Sequence, residues 1–177
     1  MSLLFEENIK RNTLLDIAKR MLVAARTAPK GKGVDNLVLS LAEKDEIENI
    51  AAVMKKMVDE GKAADFFNRD ADNILQSEIL VLIGTKIKPV GVKYCGLCGY
   101  TDCDEKNNYP SHPCSFNTGD LGIAIGSAVS VAIDARVDNR IMFSVGKAVK
   151  EMGLLGEDAK IIYGIPLSCT GKNPVFR

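Results

Sequence analysis

Four of the five cysteines in this 177-residue chain fall within twenty residues, as Cys95-Gly96-Leu97-Cys98-Gly99-Tyr100-Thr101-Asp102-Cys103 and then Cys114. The stretch is punctuated by glycine and proline and is poor in apolar side chains, so core packing alone does not hold it in shape. A shared metal centre would. Soft sulfur donors in a closed site suit tetrahedral zinc or an iron–sulfur cluster. The spacing Cys-x2-Cys-x4-Cys-x10-Cys contains one Cys-x2-Cys knuckle where zinc ribbons usually carry two. That ranks a 4Fe–4S cluster above zinc as ligand of Cys95, Cys98, Cys103 and Cys114. Gly96 and Gly99 allow tight curvature and let backbone N–H groups point at sulfur, which tunes a cluster's potential. Pro113 stiffens the approach to Cys114.

Other readings of the same residues stay open. A thioredoxin-type redox pair at Cys95 and Cys98 would leave Cys103 and Cys114 without a role. His112, the only histidine, could replace one thiolate, although a lone loop histidine is more often solvated. Cys169 stands far off in sequence and reads as a free, partly buried thiol.

The elements that must position this loop are set by hydrophobic periodicity. Leu14, Ala18, Met21, Leu22 and Ala25 make one face of a helix over 13–28, with Thr13 and Asp16 as its start and Pro29 as its stop. A basic turn follows over 29–36, Pro-Lys-Gly-Lys-Gly-Val-Asp-Asn. Its glycines would let backbone approach a phosphate, with Lys30 and Lys32 supplying charge, but it matches no phosphate-loop pattern and reads first as a solvated connector. A strand over 37–41, a helix over 45–60 with Met54 and Met57 as core residues, and a less regular helix over 63–76 come next. The segment 79–84, Ile-Leu-Val-Leu-Ile-Gly, is apolar throughout, as in a strand covered on both faces. Beyond the cysteines, a helix over 120–136, a strand over 141–145, a short helix over 147–154 and a strand over 159–167 complete one α+β domain spanning 1–177. The cysteine-rich loop, about 93–118, is inserted between a central strand and a buried helix.

Composition excludes little but is informative. The chain is 46% hydrophobic and 26% charged, with 23 basic and 23 acidic residues. No global field draws it to nucleic acid or an anionic membrane. No run approaches the roughly 18 apolar residues of a membrane span, and the N-terminus carries no secretory pattern. The expectation is a cytoplasmic protein, where clustered thiols serve as ligands or redox groups rather than disulfides. No Ser-His-Asp or paired-carboxylate pattern supports hydrolysis.

Two stretches carry a resemblance. Ala24-Ala25-Arg26-Thr27-Ala28-Pro29 resembles the first helix and Ala-Pro-Ser turn of FMN-dependent nitroreductases. Asp120-Leu121-Gly122-Ile123-Ala124, Met152-Gly153-Leu154 and Gly164-Ile165-Pro166 resemble that family's C-terminal half. With the Cys-Gly-x-Cys-Gly run and the ending Gly164-Ile165-Pro166-Leu167-Ser168-Cys169-Thr170-Gly171-Lys172-Asn173, the chain is similar to the DUF2148 group of proteins containing a ferredoxin domain. The resemblance implies a nitroreductase-like mixed central sheet flanked by helices, and a homodimer with FMN at its interface. It implies flavin contacts from Lys30, Lys32 and Asn36 and a phosphate contact from Arg177. The Arg-Arg-Ser-x-Arg segment with which nitroreductases grip the phosphate is reduced here to Lys10-Arg11.

The functional expectation is an iron–sulfur electron-transfer protein, with FMN-dependent oxidoreductase activity if a flavin binds beside the cluster and an unidentified partner exchanging electrons. The alternative is a zinc-stabilised, non-enzymatic binding module on the same shell.

Overall fold

The computed structural model describes residues 3–175. Its centre is strand β2 (Ile79–Lys86), whose first seven residues are all buried. Alternation along a strand sends Ile79, Val81 and Ile83 to one face and Leu80 and Leu82 to the other, and each set joins a different hydrophobic core. A fully buried side chain of this size is worth about 1.5–3 kcal/mol, which is why an apolar run of this kind takes the middle of the sheet.

One core lies under helices α1 (Glu6–Thr27) and α5 (Ser115–Asp134), and the other under α2 (Lys44–Asp59), α3 (Phe66–Ile74) and α6 (Phe143–Glu151). The sheet has the order β1 (Leu37–Ala42), β2, β4 (Ala159–Ser168), β3 (Asp138–Asn139). The α+β class holds, but every pairing within this chain is antiparallel rather than mixed. The cause for β1 and β2 is their connection: two helices packed on each other carry the chain away and back, so β2 returns beside β1 in the opposite direction.

Helix α1 begins at Glu6, well before the expected start at Thr13, whose hydroxyl donates to Ile9 O at 3.1 Å inside the helix. Glu6 and Glu7 in the first turn favour the positive end of the helix dipole. The expected strand over 141–145 shrinks to one bridge, in which Met142 exchanges backbone hydrogen bonds with Gly164 at 2.8 and 3.1 Å. From Phe143 the chain is helical, and two glycines explain why. A Cβ on Gly146 would stand 1.7 Å from Ile162 O, and one on Gly164 would stand 2.2 Å from Val145 Cγ1. Their absence lets α6 lie directly on β4, and Gly153, with φ +68°, closes the helix.

Pro166 lies inside β4, a position that normally disfavours proline. Gly164 bonds Met142 on the β3 side, so Pro166, two residues on, turns its missing donor to that same side. There the ladder is open between Asn139 and Met142.

Helix α5 is long and apolar enough by composition to cross a bilayer, contrary to the expectation of no such run. Here Leu121, Ala124, Ile125, Ala128 and Ala132 are buried in the core shared with α1.

Candidate metal centre and adjoining cavity

The cysteine loop leaves β2 after Lys86 and ends where α5 begins at Ser115, so the inserted segment is shorter at its C-terminal end than the expected 93–118. The backbone takes positive φ at Gly91, Tyr94, Gly96 and Gly99. Gly99 N–H donates to Gly96 O at 3.1 Å, closing the turn that brings Cys95 and Cys98 together. Cys103 opens the short helix α4 (Cys103–Asn107). Its N-cap Asp102 accepts the Glu105 N–H at 2.9 Å, and Glu105 in turn accepts the Thr101 N–H at 2.6 Å, close to a capping box. The backbone and side-chain hydrogen bonds from Thr101 hold the Glu105 carboxyl below its usual range, against desolvation and the neighbouring Asp102.

A cluster of three rings replaces an apolar core inside the loop. Tyr100, Tyr109 and His112 form a triangle, with ring centroids 5.2 Å apart for Tyr100 and Tyr109, 5.3 Å for Tyr109 and His112 and 6.0 Å for Tyr100 and His112. The Tyr100 hydroxyl is hydrogen-bonded to His112 Nδ1. Desolvation, with the charges of Tyr109, Cys98 and Glu105, pushes the Tyr100 phenol up. His112 belongs to this ring cluster and does not line the cavity formed by the cysteines.

Cys95, Cys98, Cys103 and Cys114 all line one small cavity, together with Val90, Tyr100 and Phe116. Cys114 is buried, the other three are half-buried, and all four thiols are free. Cys114 is the N-cap of α5 and Cys103 the first residue of α4. The free volume is about 10 Å³, room for about one water. Among the described residues no three His, Cys, Asp or Glu side chains are drawn together tightly enough to hold a metal ion. By type the donor set suits a soft metal centre, but a metal ion or cluster would need the loop to rearrange around it. Cys169 is free, as expected, but exposed rather than partly buried, because β4 ends at Ser168.

A second, larger cavity of about 440 Å³ adjoins the first. Its walls are the 29–31 turn, Leu97 from between Cys95 and Cys98, and Ser115, Phe116, Gly119, Asp120 and Ile123 of α5. Ser115 and Phe116 line both cavities. The lining is mainly apolar and the size falls in the range of ligand pockets.

The turn over 29–36 is not the solvated connector first read from its composition. Gly31 N–H donates to both oxygens of Asp120 at 3.1 and 3.2 Å. The Lys30 ammonium folds back on the C-terminus of α1, donating to Ala28 O at 2.7 Å, Ala25 O at 3.2 Å and Arg26 O. The Lys32 ammonium donates to Gly91 O at 3.1 Å and Val90 O at 3.4 Å, tying the turn to the cysteine loop. Asn36 is buried and its Nδ2 donates to Lys88 O at 3.5 Å. Of the flavin contacts expected by resemblance, Lys30 reaches the second cavity, Lys32 and Asn36 do not line it, and Arg177 lies outside the described residues. Arg11, in the segment matched to the phosphate grip, is paired with Glu43.

Three residues in or beside the loop escaped sequence reasoning. Phe116 and Asn117 sit in the first turn of α5, which the helical pattern began only at Asp120. Asn117 Oδ1 accepts the Lys88 N–H at 2.8 Å and anchors the loop's entry. Lys106 is only 1% exposed. The one signal for Asp120 was a lone charge heading an otherwise apolar helix.

Comparisons with known proteins agree with this architecture. A family model described as "Uncharacterized protein containing a ferredoxin domain (DUF2148)" matches residues 111–177, which include Cys114 but not the first three cysteines of the loop. An uncharacterized protein of Archaeoglobus fulgidus is 40% identical over 182 residues, covering 98% of this chain and 96% of that protein. Among solved structures, a nitroreductase with bound FMN from Desulfitobacterium hafniense DCB-2 superposes with a TM-score of 0.62 at 13% identity, over 89% of this chain and 78% of that one. A BluB-like flavoprotein from Clostridium difficile 630 gives 0.56 at 23% identity, over 90% and 85%. The family description supports a redox-type protein, and the structural likeness establishes a nitroreductase-like fold. The chain belongs to the DUF2148 family of uncharacterized proteins containing a ferredoxin domain.

Proposed function

We propose that this protein is an iron–sulfur electron-transfer protein in which Cys95, Cys98, Cys103 and Cys114 ligate a 4Fe–4S cluster, and that the adjoining cavity takes a planar redox partner such as FMN. The observation that supports this reading is the shared wall. Four thiols from three separate turns line one cavity, and Phe116 and Ser115 separate it from a larger apolar one. A cluster supplies single electrons and a flavin handles pairs. The chain's own part is to exclude water, place two of the four cysteines at helix starts, and keep the two sites within one side chain of each other. Clustered thiols acting as ligands suit a reducing compartment such as the cytoplasm.

The exposed face of α5 supports assembly as a homodimer. Ile123 and Ile133 stand out from it, 48% and 59% exposed, beside Gly119, Gly122 and Gly126. A Cβ on any of these glycines would meet nothing within 4 Å. A face of small residues flanked by apolar ones suits close approach of a second copy's helix, which would cover the open side of the larger cavity at Gly119 and Ile123.

The test is the iron, sulfide, zinc and flavin content of anaerobically purified protein. Iron and sulfide at about four each per chain are expected, with FMN released on denaturation. Stoichiometric zinc without iron or flavin would overturn the redox reading and favour a zinc-stabilised binding module.

A further inference from the structure

We propose that the open edge of β4 beside α6 is an anion site, in which Lys147, Lys150 and Lys160 hold the phosphate of a small phosphate-bearing ligand. The proposal goes beyond the redox reading above and does not depend on the cysteine centre.

A cavity of about 190 Å³ lies where α6 rests on β4. Phe143, Lys147 and Lys150 line it from α6, and Lys160, Ile162 and Tyr163 line it from β4. Phe143, Gly146, Lys147 and Lys150 fall at intervals that share one helix face. The bare Gly146 in the middle of that face lets it lie against Ile162.

Three ammonium groups line this cavity and no carboxylate does. All three lysines are exposed, and among the described residues none has an ion-pair or hydrogen-bond partner. Lys19, Lys55, Lys56, Lys62 and Lys86, by contrast, are each paired with a carboxylate. Lys150, in the last turn of α6, also suits the negative end of the helix dipole. Lys147 in mid-helix and Lys160 in a strand have no such local reason. A cleft lined by one sign of charge concentrates the field and draws the opposite ion into it.

The strand edge supplies an independent donor. Gly164 turns its N–H and C=O to Met142, away from β2, so Ile162, two residues earlier, turns its own N–H to the same open side. Ile162 is 5% exposed, and among the described residues no acceptor meets that N–H. Buried backbone donors are ordinarily paired. Lysines acting as point charges around a backbone N–H suit a compact anion with several oxygens, which is the chemistry of phosphate. The Phe143 ring, 51% exposed and held edge-on by Phe67 at 6.2 Å, offers an aromatic face on which a base could stack if the phosphate belongs to a nucleotide.

The experiment is isothermal titration calorimetry of the full-length protein at low salt with two probes, inorganic pyrophosphate and ADP. Each is titrated into wild type, Lys147→Gln, Lys160→Gln and Lys160→Arg. Saturable pyrophosphate binding is expected, weakened about tenfold by either glutamine, as for loss of one hydrogen bond to a charged group, and largely kept by arginine. The substituted lysines are exposed, so the variants are expected to fold, which circular dichroism checks. ADP binding tighter than pyrophosphate, with the excess lost in Phe143→Leu, supports the site and identifies a nucleotide as the source of the phosphate. Equal binding of the two supports the site and identifies a free phosphoanion. Wild-type protein that binds neither probe overturns the proposal, as does binding unchanged in both glutamine variants. Neither result bears on the iron and sulfide content by which the redox reading stands or falls.

Discussion

The Asp120 carboxylate accepts the Gly31 N–H through both oxygens, at 3.1 and 3.2 Å, across 89 positions of sequence. Asp120 is only 8% exposed, and the contact fastens the turn after α1 to the second turn of α5. Gly31 also lies against the Phe116 ring, so this one junction holds together the walls of the larger cavity and the partition between it and the cysteines.

Removing the acceptor leaves a part-buried N–H unpaired. Asp120→Ala is expected to lose about 1.5–3 kcal/mol, as for hydrogen bonds to charged groups, read from urea denaturation. Gly31→Ala would put a Cβ 2.5 Å from Phe116 Cδ1. It is expected to cost about 1–3 kcal/mol and to lower flavin retention as the ring is displaced. Full retention in both variants would mean that this cavity is not the flavin site.

The cysteines should separate by role. Serine at Cys95, Cys98, Cys103 or Cys114 is expected to reduce bound iron and the visible absorbance, most of all at buried Cys114, whereas Cys169→Ser should leave both unchanged. Iron analysis of the five variants checks this, and equal iron in all five would dismiss the ligand set.

Gly146 offers a test of the fold. Alanine in a helix is normally favoured over glycine by about 1 kcal/mol, but here its Cβ would meet Ile162 O at 1.7 Å. Gly146→Ala is therefore expected to destabilise by about 3 kcal/mol, seen as a lower thermal midpoint. A gain in stability would refute the placement of α6 on β4.

Acid stability should depend on Asp35. Desolvation raises its carboxyl, but hydrogen bonds from Arg26 and the Leu37 N–H, with the charges of Arg26 and Lys30, outweigh it and hold the group below its ordinary value of 3.8. Because the folded value is the lower one, the stabilisation is present above about pH 4 and fades as pH falls through the folded value. Urea midpoints of wild type and Asp35→Asn should differ at neutral pH and converge below about pH 4. Constant separation would exclude Asp35 as the source.

Assembly can be read directly. Ile123→Lys on the exposed face of α5 is expected to convert a dimer to a monomer in sedimentation velocity, with little loss of fold because Ile123 is 48% exposed.

The periodicities over 13–28, 45–60 and 79–84 were enough to recognise α1, α2 and β2, because burial of one helix face or of both strand faces is written in the spacing of apolar residues. The grouping of the four cysteines was likewise local, a matter of glycines and short intervals. The segment over 141–145 was misread because a short apolar run suits strand or helix equally, and the contact of Gly146 with Ile162, across the packed layers, decided it. The partner of Gly31, the duties of Lys30 and Lys32, and the burial of Lys106 and Asn117 were beyond reach for the same reason. Each depends on which distant group the fold brings within hydrogen-bonding distance or closes over, and a pattern read along one chain segment carries no record of that.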